Sequence, residues 1–220
     1  MSEQDDPYAA LRKELRGPVA SIQSYVRTLM TRGETLSQSA RSTIYQVILQ
    51  QSKRVDGFLD DVLLYVRVLS GDVEITTEPL LVAVIAEEVR QRLGEPERVA
   101  IEVGTDVVVQ ADHAAMSETL RRLVRNALVY GPREGTVRIS GTSDGSWVEI
   151  GVHDTGLGIP AEAIDAALKP FIRSVQPGER RSDGAGLGLT VAAELARLMG
   201  GELTLRDSDP GLTAALRLPA

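Results

Sequence analysis

The stretch "GAGLGLTVAAELARLMGG", Gly184 to Gly201, decides how the second half of this chain is read. Gly184, Gly186 and Gly188 alternate with other residues and lead straight into a long amphipathic helix. Glycine-rich backbone at a helix N-terminus offers amide donors and the positive end of a dipole to a phosphate. An ordinary flexible turn before a helix has the same composition, so the stretch alone leaves both readings open.

Two segments upstream bear on the choice. "HDTGLGIP", His153 to Pro160, follows an alternating strand and precedes a helix that Pro160 can open. Its aspartate at a strand end faces two glycines. That arrangement lets a carboxylate accept from the exocyclic amine of a base while the glycines leave room for the ring. In "LRRLVRNALVYGP" Asn126 lies on an amphipathic helix with Leu120, Leu123, Val124, Ala127 and Leu128 inward. An amide oxygen there is a hard ligand suited to Mg²⁺ that bridges phosphates. Around these segments lie short β-prone runs: "DVEIT", "VAIEVG", "DVVVQA", "GTVRISG", "SWVEIGV", "GELTLRD" and "TAALRLP". "GTVRISG" and "SWVEIGV" straddle "TSDG", a hairpin signal. Helical stretches alternate with them, "LLVAVIAEEVRQRL" included. The expected class is α+β, with helices on one face of a largely antiparallel sheet.

The N-terminal part has a different grammar. Apolar residues fall at Leu11, Leu15, Val19, Ile22, Val26 and Leu29. Gly33 ends this helix, and Ser37 or Thr35 can cap the next. The second stripe runs Ile44, Ile48, Gln51, Val55, Phe58, Val62, Tyr65 and Leu69, widened by Val47, Leu59, Leu63 and Val66. A seam that wide exceeds what one partner helix covers. It predicts a helical hairpin over 1–70 that dimerises into a four-helix bundle, followed by an α/β sandwich over 71–220. Packing of the stripes on the second half of the same chain is the plainer alternative.

Together and in order, these segments resemble the core of sensor histidine kinases, within the wider fold of the DNA gyrase B and Hsp90-type ATPases. "RNALVYGP" is similar to the family's Asn motif, "DTGLGI" to its first glycine motif, "PFIR" to its phenylalanine motif and "GAGLGLTVA" to its second glycine motif. "MGGELTLRDSDPGLTAALRLP" resembles the closing strands, and "LRKELRGPVASI" and "RVDGFLDDVLLYVRVLSGDVEI" resemble the two hairpin helices. The resemblance implies ATP and Mg²⁺ as cofactors. Asp154 would receive the adenine amine, Gly156 and Gly158 would line its pocket, and Tyr130 would stand beside it. Asn126 would hold the metal, and Gly184, Gly186 and Gly188 would wrap the phosphates. Arg173 would reach the γ-phosphate, with "SVQPGERRSD" as a mobile lid. Implied partners are a second copy of the chain and a response regulator or another histidine kinase.

The departures are as informative. The acceptor histidine should precede the Glu of "ELRGP", and that position holds Lys13. The two histidines, His113 and His153, lie outside the hairpin. Imidazole has a free lone pair near neutral pH. A lysine ammonium, with a reference pKa of about 10.4, has none. Lys13 is expected to be exposed and unreactive, which leaves Glu14 nothing to activate. Gly17 stands where many relatives carry a Thr or Asn. Arg122 occupies the place of a second Asn, and Val129 that of a basic residue. Both changes weaken the expected metal–phosphate site, although Arg122 could supply a phosphate contact itself. The readings left open are a dimeric pseudokinase scaffold that binds ATP and an active kinase or phosphotransfer partner working in trans on a histidine of another protein. Lys13 as a substitution in an otherwise active kinase is a further one. Arg122 and the hairpin disfavour a hydrolysing ATPase machine.

Composition fits. A net charge of −7 over 220 residues argues against nucleic acid. The absence of cysteine removes disulfides and thiolate metal sites. No apolar run approaches the roughly 20 residues of a membrane span, and "MSEQDDPY" does not read as a signal peptide. A cytoplasmic location is expected.

Overall fold

The computed structural model describes residues 7–172, 186–208 and 210–220; of residues 7–10, Lys13 and Ala161 it describes the backbone alone. Two long helices come first, α1 (Pro7–Arg32, with Pro18 inside it) and α2 (Gln38–Ser70). Ser37 caps α2, its hydroxyl accepting from the Ala40 N–H at 3.2 Å. Gly71 closes α2 in the left-handed region at φ 75°, a conformation glycine adopts without steric penalty.

The α/β half follows as β1 (Glu78–Leu81), α3 (Val82–Gln91), β2 (Val99–Val103), β3 (Val108–Ala111), α4 (His113–Tyr130), β4 (Val137–Ser143), β5 (Trp147–His153), α5 (Ala161–Ala167), α6 (Gly188–Leu198), β6 (Glu202–Asp207) and β7 (Leu212–Pro219). Five strands form one sheet in the order β2-β4-β5-β7-β6. Only the β2–β4 pairing in it is parallel. The β1–β3 pair is a small antiparallel sheet of its own. Leu120, Leu123 and Val124 of α4 and Val191 and Leu195 of α6 are buried with Ile139, Ile150, Leu216 and Leu218 of the sheet. The helices thus lie on the sheet, where β4 and β6 start by alternating buried with less buried positions and the inner β7 is buried along most of its length.

Three local expectations are corrected. "DVEIT" forms no strand. Val73 and Ile75 pack on the core instead, and the Thr76 N–H is satisfied by the Asp112 carboxylate at 3.1 Å rather than by a ladder. Leu80 and Leu81, expected in a helix, belong to β1 because they pair with Val109 and Val108; a short apolar run does not by itself separate strand from helix. Leu69, expected in the α2 seam, is exposed, whereas its neighbour Val68 is buried. The Glu14–Arg54 pair marks the helix register. Past about residue 61, α2 therefore runs beyond the described part of α1. There its covered face turns to the α/β half, with which Phe58, Val62, Tyr65 and Val68 share one core. Among the described residues the plainer alternative thus holds for this end of the stripe.

The β6–β7 turn is tight against the end of β5. Gly211 has φ 101°, and a Cβ there would lie 1.9 Å from the Asp154 carbonyl oxygen. Gly211→Ala should therefore displace the turn and cost more than about 2 kcal/mol of stability, read as a drop in Tm. An unchanged Tm would mean that the turn is not held against β5.

Candidate functional site

Asp154 follows β5 directly and is buried. Its Oδ1 accepts from the Gly156 N–H at 2.8 Å and, more weakly, from the Leu212 N–H at 3.4 Å. Its own N–H donates to the Leu212 carbonyl at 3.0 Å. These bonds fix one carboxylate oxygen. Gly156 is needed at this approach, since a Cβ would meet Asp154 Oδ1 and the Tyr130 carbonyl oxygen, each at 2.9 Å.

An open cleft with about 710 Å³ of atom-free space lies over this carboxylate. Its walls are mainly apolar: Leu157, Ile159, Ala167, Ile172, Leu189 and Leu212. The polar groups are few: Asp154, and Asn126 and Tyr130 from the last turns of α4. Gly158, Gly186 and Gly188 complete the lining. Gly186 has φ 68° and precedes α6, which starts at Gly188 with no side-chain cap from Leu187. The first N–H groups of α6 therefore have no side-chain acceptor at the cap position and are suited to an anion. An apolar wall, one fixed carboxylate and a helix N-terminus suit a ligand with an aromatic ring bearing a donor at one end and negative charge at the other.

Of the residues singled out in the sequence, the structure brings Asn126, Tyr130, Asp154, Gly158, Gly186 and Gly188 to one cleft, with Gly156 behind the carboxylate. Gly184, Arg173 and the "SVQPGERRSD" segment lie outside the described residues, as does the Lys13 side chain. Glu14 is not at this cleft. It pairs with Arg54 at 3.5 Å and lines a second cavity between the hairpin and Arg125 of α4.

The reading of Arg122 as a phosphate contact is corrected. Its Nη2 lies 2.8 Å from Asp61 Oδ1 of α2 and its Nε 2.7 Å from Glu118 Oε1, with its side chain 5% exposed. A guanidinium paired on both sides and turned towards α2 is unavailable to the cleft. Val129 is exposed and does not line the cleft. The apolar lining was missed in the sequence. Leu157 and Ile159 carried a signal, since they interleave with the glycines of "GLGI"; Leu212 carried none.

The electrostatics are set by burial. Desolvation pushes the Asp154 carboxyl above the usual carboxylate range, and the N–H donors of Gly156 and Leu212 offset part of that. Burial and then Arg138 push His153 down. Its ring nitrogens are engaged by Ser140 Oγ at 2.7 Å and Thr213 Oγ1 at 2.8 Å. His153 is thus a neutral link across the sheet rather than a cleft residue.

Residues 111–220 match the family described as histidine kinase-, DNA gyrase B-, and HSP90-like ATPase. The sensor protein CreC of Escherichia coli K12 is 31% identical over 95% of this chain, and the matched region is 44% of CreC. The chain thus spans less than half the length of that relative. Among solved structures, the histidine kinase ThkA in complex with the response regulator TrrA has a TM-score of 0.75 at 19% identity, covering 96% of this chain and 60% of that one. Full-length ShkA in complex with AMPPNP has a TM-score of 0.67 at 20% identity, covering 97% of this chain and 45% of that one. The hairpin followed by an α/β domain is thus the fold of histidine kinase structures.

A raised carboxyl pKa means that the fold favours the protonated form. Stability then falls as pH rises from the unfolded value near 3.9 through the higher folded one. Asp154→Asn, which keeps the acceptor and removes the charge, should melt no lower than wild type at pH 7 and should lose this pH dependence. A loss above about 1 kcal/mol in chemical denaturation would contradict it.

Proposed function

Because the chain belongs to the histidine kinase-, DNA gyrase B-, and HSP90-like ATPase family, we propose that it is a two-component signalling protein that binds Mg·ATP but does not phosphorylate itself. It works as a dimeric pseudokinase scaffold. The observation that carries the nucleotide reading is the cleft itself. Three segments far apart in sequence meet there, each with the group that one part of ATP requires.

The Asp154 carboxylate accepts from the adenine amine, with Gly156 and Gly158 giving the ring its approach. Leu157, Ile159, Ile172 and Leu212 cover the base, and Tyr130 stands at its side. Gly186 and Gly188 give phosphate oxygens backbone donors at the α6 N-terminus; Gly184 and Arg173 would extend that set. One Asn side chain suits Mg²⁺, which takes most of its ligands from phosphates and water; Asn126 is that residue. Bound Mg²⁺ would neutralise phosphate charge.

The helix end at Ser70 and Gly71 supports the proposed division of the chain at residue 70. The homodimer rests on an uncovered apolar row. Tyr45, Leu49, Leu59, Leu63 and Val66 are exposed on α2. They keep a four-three spacing one residue away from the covered seam, with Ser52 and Asp56 at the two missing places. Such a row seeks a second helix pair. Because Phe58 is buried within its own chain, the exposed row is where dimerisation should be tested. A response regulator or another histidine kinase is the proposed partner. No helix among the described residues is long and apolar enough to cross a membrane, and the proposed location is the cytoplasm, where ATP is available.

Light scattering at micromolar concentration should give twice the chain mass of 23.7 kDa. Leu59→Glu with Leu63→Glu should give the single mass, with helical content retained. A monomeric wild type would refute the dimer.

Calorimetry should detect Mg·ATP binding, and Asp154→Asn should weaken it by about 1.5–3 kcal/mol, the range for a hydrogen bond to a charged group. Incubation with Mg·ATP should leave no acid-labile phosphate on the chain. Acid-labile phosphate on a histidine of an added protein would establish the trans-acting kinase instead, and phosphate on Lys13 would overturn the pseudokinase reading.

A further inference from the structure

The parallel pairing of β2 with β4 begins with Val99 opposite Val137. The segments that enter the two strands therefore run side by side, and one arginine joins them. Arg98, from the single turn Pro96–Arg98 before β2, donates from Nη2 to the Pro132 carbonyl at 2.7 Å and from Nε to the Gly135 carbonyl at 3.1 Å. Its Nη1 pairs with the Glu95 carboxylate, and its side chain is 15% exposed.

Pro132 and Gly135 are the two ends of a four-residue turn between α4 and β4, closed by the Gly135 N–H on the Pro132 carbonyl at 2.9 Å. Pro132, Arg133, Glu134 and Thr136 are exposed, and Gly131 and Gly135 have no side chains. The turn thus brings no apolar anchor of its own. Arg98 supplies one, because a planar guanidinium can hold the first and last carbonyls of the turn at once.

The turn bears on the cleft from outside. A Cβ at Gly131 would lie 3.6 Å from Asp154 Cβ, one at Gly135 3.0 Å from Thr155 Oγ1, and one at Gly156 3.4 Å from Gly131 Cα. Residues 154–156 are therefore packed between two turns. The β6–β7 turn is bonded to them through Leu212. The α4–β4 turn meets them through small groups in contact, which constrains their position only while that turn is itself held. The same turn closes α4 through the Gly131 N–H on the Ala127 carbonyl at 2.8 Å, and so sets where Tyr130 stands.

We propose that Arg98 is a positioning residue for nucleotide binding: by fixing the α4–β4 turn it sets the spacing between Tyr130 and the Asp154 carboxylate, and so the width of the cleft at the base. This assignment rests on the nucleotide reading given above. It concerns the base end alone, since the α6 N-terminus, proposed for the phosphates, belongs to another segment.

Arg98→Met keeps an unbranched side chain and removes the donors. In calorimetry well below the melting temperature, it should weaken Mg·ATP and Mg·ADP by one common factor of about tenfold, the lower end of the loss when a group supporting a ligating one is removed. Arg98→Lys, whose ammonium can reach one carbonyl but cannot span both as a fork, should recover part of it. In an Asp154→Asn background the loss on Arg98→Met should shrink, because the two residues act on one contact. In the nucleotide-free Arg98→Met protein, the amides of Gly131, Gly135 and Gly156 should exchange faster while those of β5 and β7 keep their protection. Wild type that binds, with Arg98→Met binding equally well, would overturn the assignment. So would a loss confined to ATP, which would place the effect at the phosphates, or a loss undiminished by Asp154→Asn. Exchange accelerated throughout the sheet, or lost circular dichroism, would also overturn it, because Arg98 would then support the whole fold. Wild type without affinity for either nucleotide would instead refute the nucleotide reading, and this assignment with it.

Discussion

The Asp154 carboxylate is buried at the end of β5, and the geometry around it depends on keeping it in place. A buried carboxylate is tolerated only with donors, and these come from the Gly156 and Leu212 N–H groups. The second donor requires the β6–β7 turn to reach the end of β5, which only a residue without a Cβ at Gly211 permits. Strand order, turn chemistry and the cleft floor are therefore one constraint. The carboxylate is costly to the fold and useful to a ligand, the trade expected at a binding site.

Helix α4 serves both halves. Its inner face, with Leu120, Leu123 and Val124, is core. Asn126 reaches the cleft, while Arg122, one turn earlier, reaches α2. The arginine first read as a substitution within the phosphate site is thus a substitution with a new partner. The end of the cleft proposed for the phosphates then has Asn126 and the α6 N-terminus.

Much of this was legible in the sequence because it is local. The four-three spacing of α1 and α2, the Ser37 cap, the "TSDG" hairpin and the glycines before α6 are short-range signals, and each corresponds to an element or turn. What was not legible depends on distant partners. Leu80 and Leu81 are strand because Val108 and Val109 pair with them. Val68, not Leu69, is in the core because the α/β half packs on that side of α2. Nothing in the spacing of α2 marks Asp61; its partner Arg122 comes from α4. Leu212 lines the cleft through sheet order, which leaves no trace in the spacing of residues.

The central claim is that the Asp154 cleft, and not the cavity beside Glu14 and Arg54, receives the nucleotide. Hydrogen exchange with and without Mg·ATP tests it residue by residue. Amides of Gly156 to Ile159 and of Leu187 to Thr190 should exchange more slowly with nucleotide, while those of α1 around Glu14 should not change. Exchange unaltered at both glycine segments, or slowed only around Glu14 and Arg54, would contradict the account.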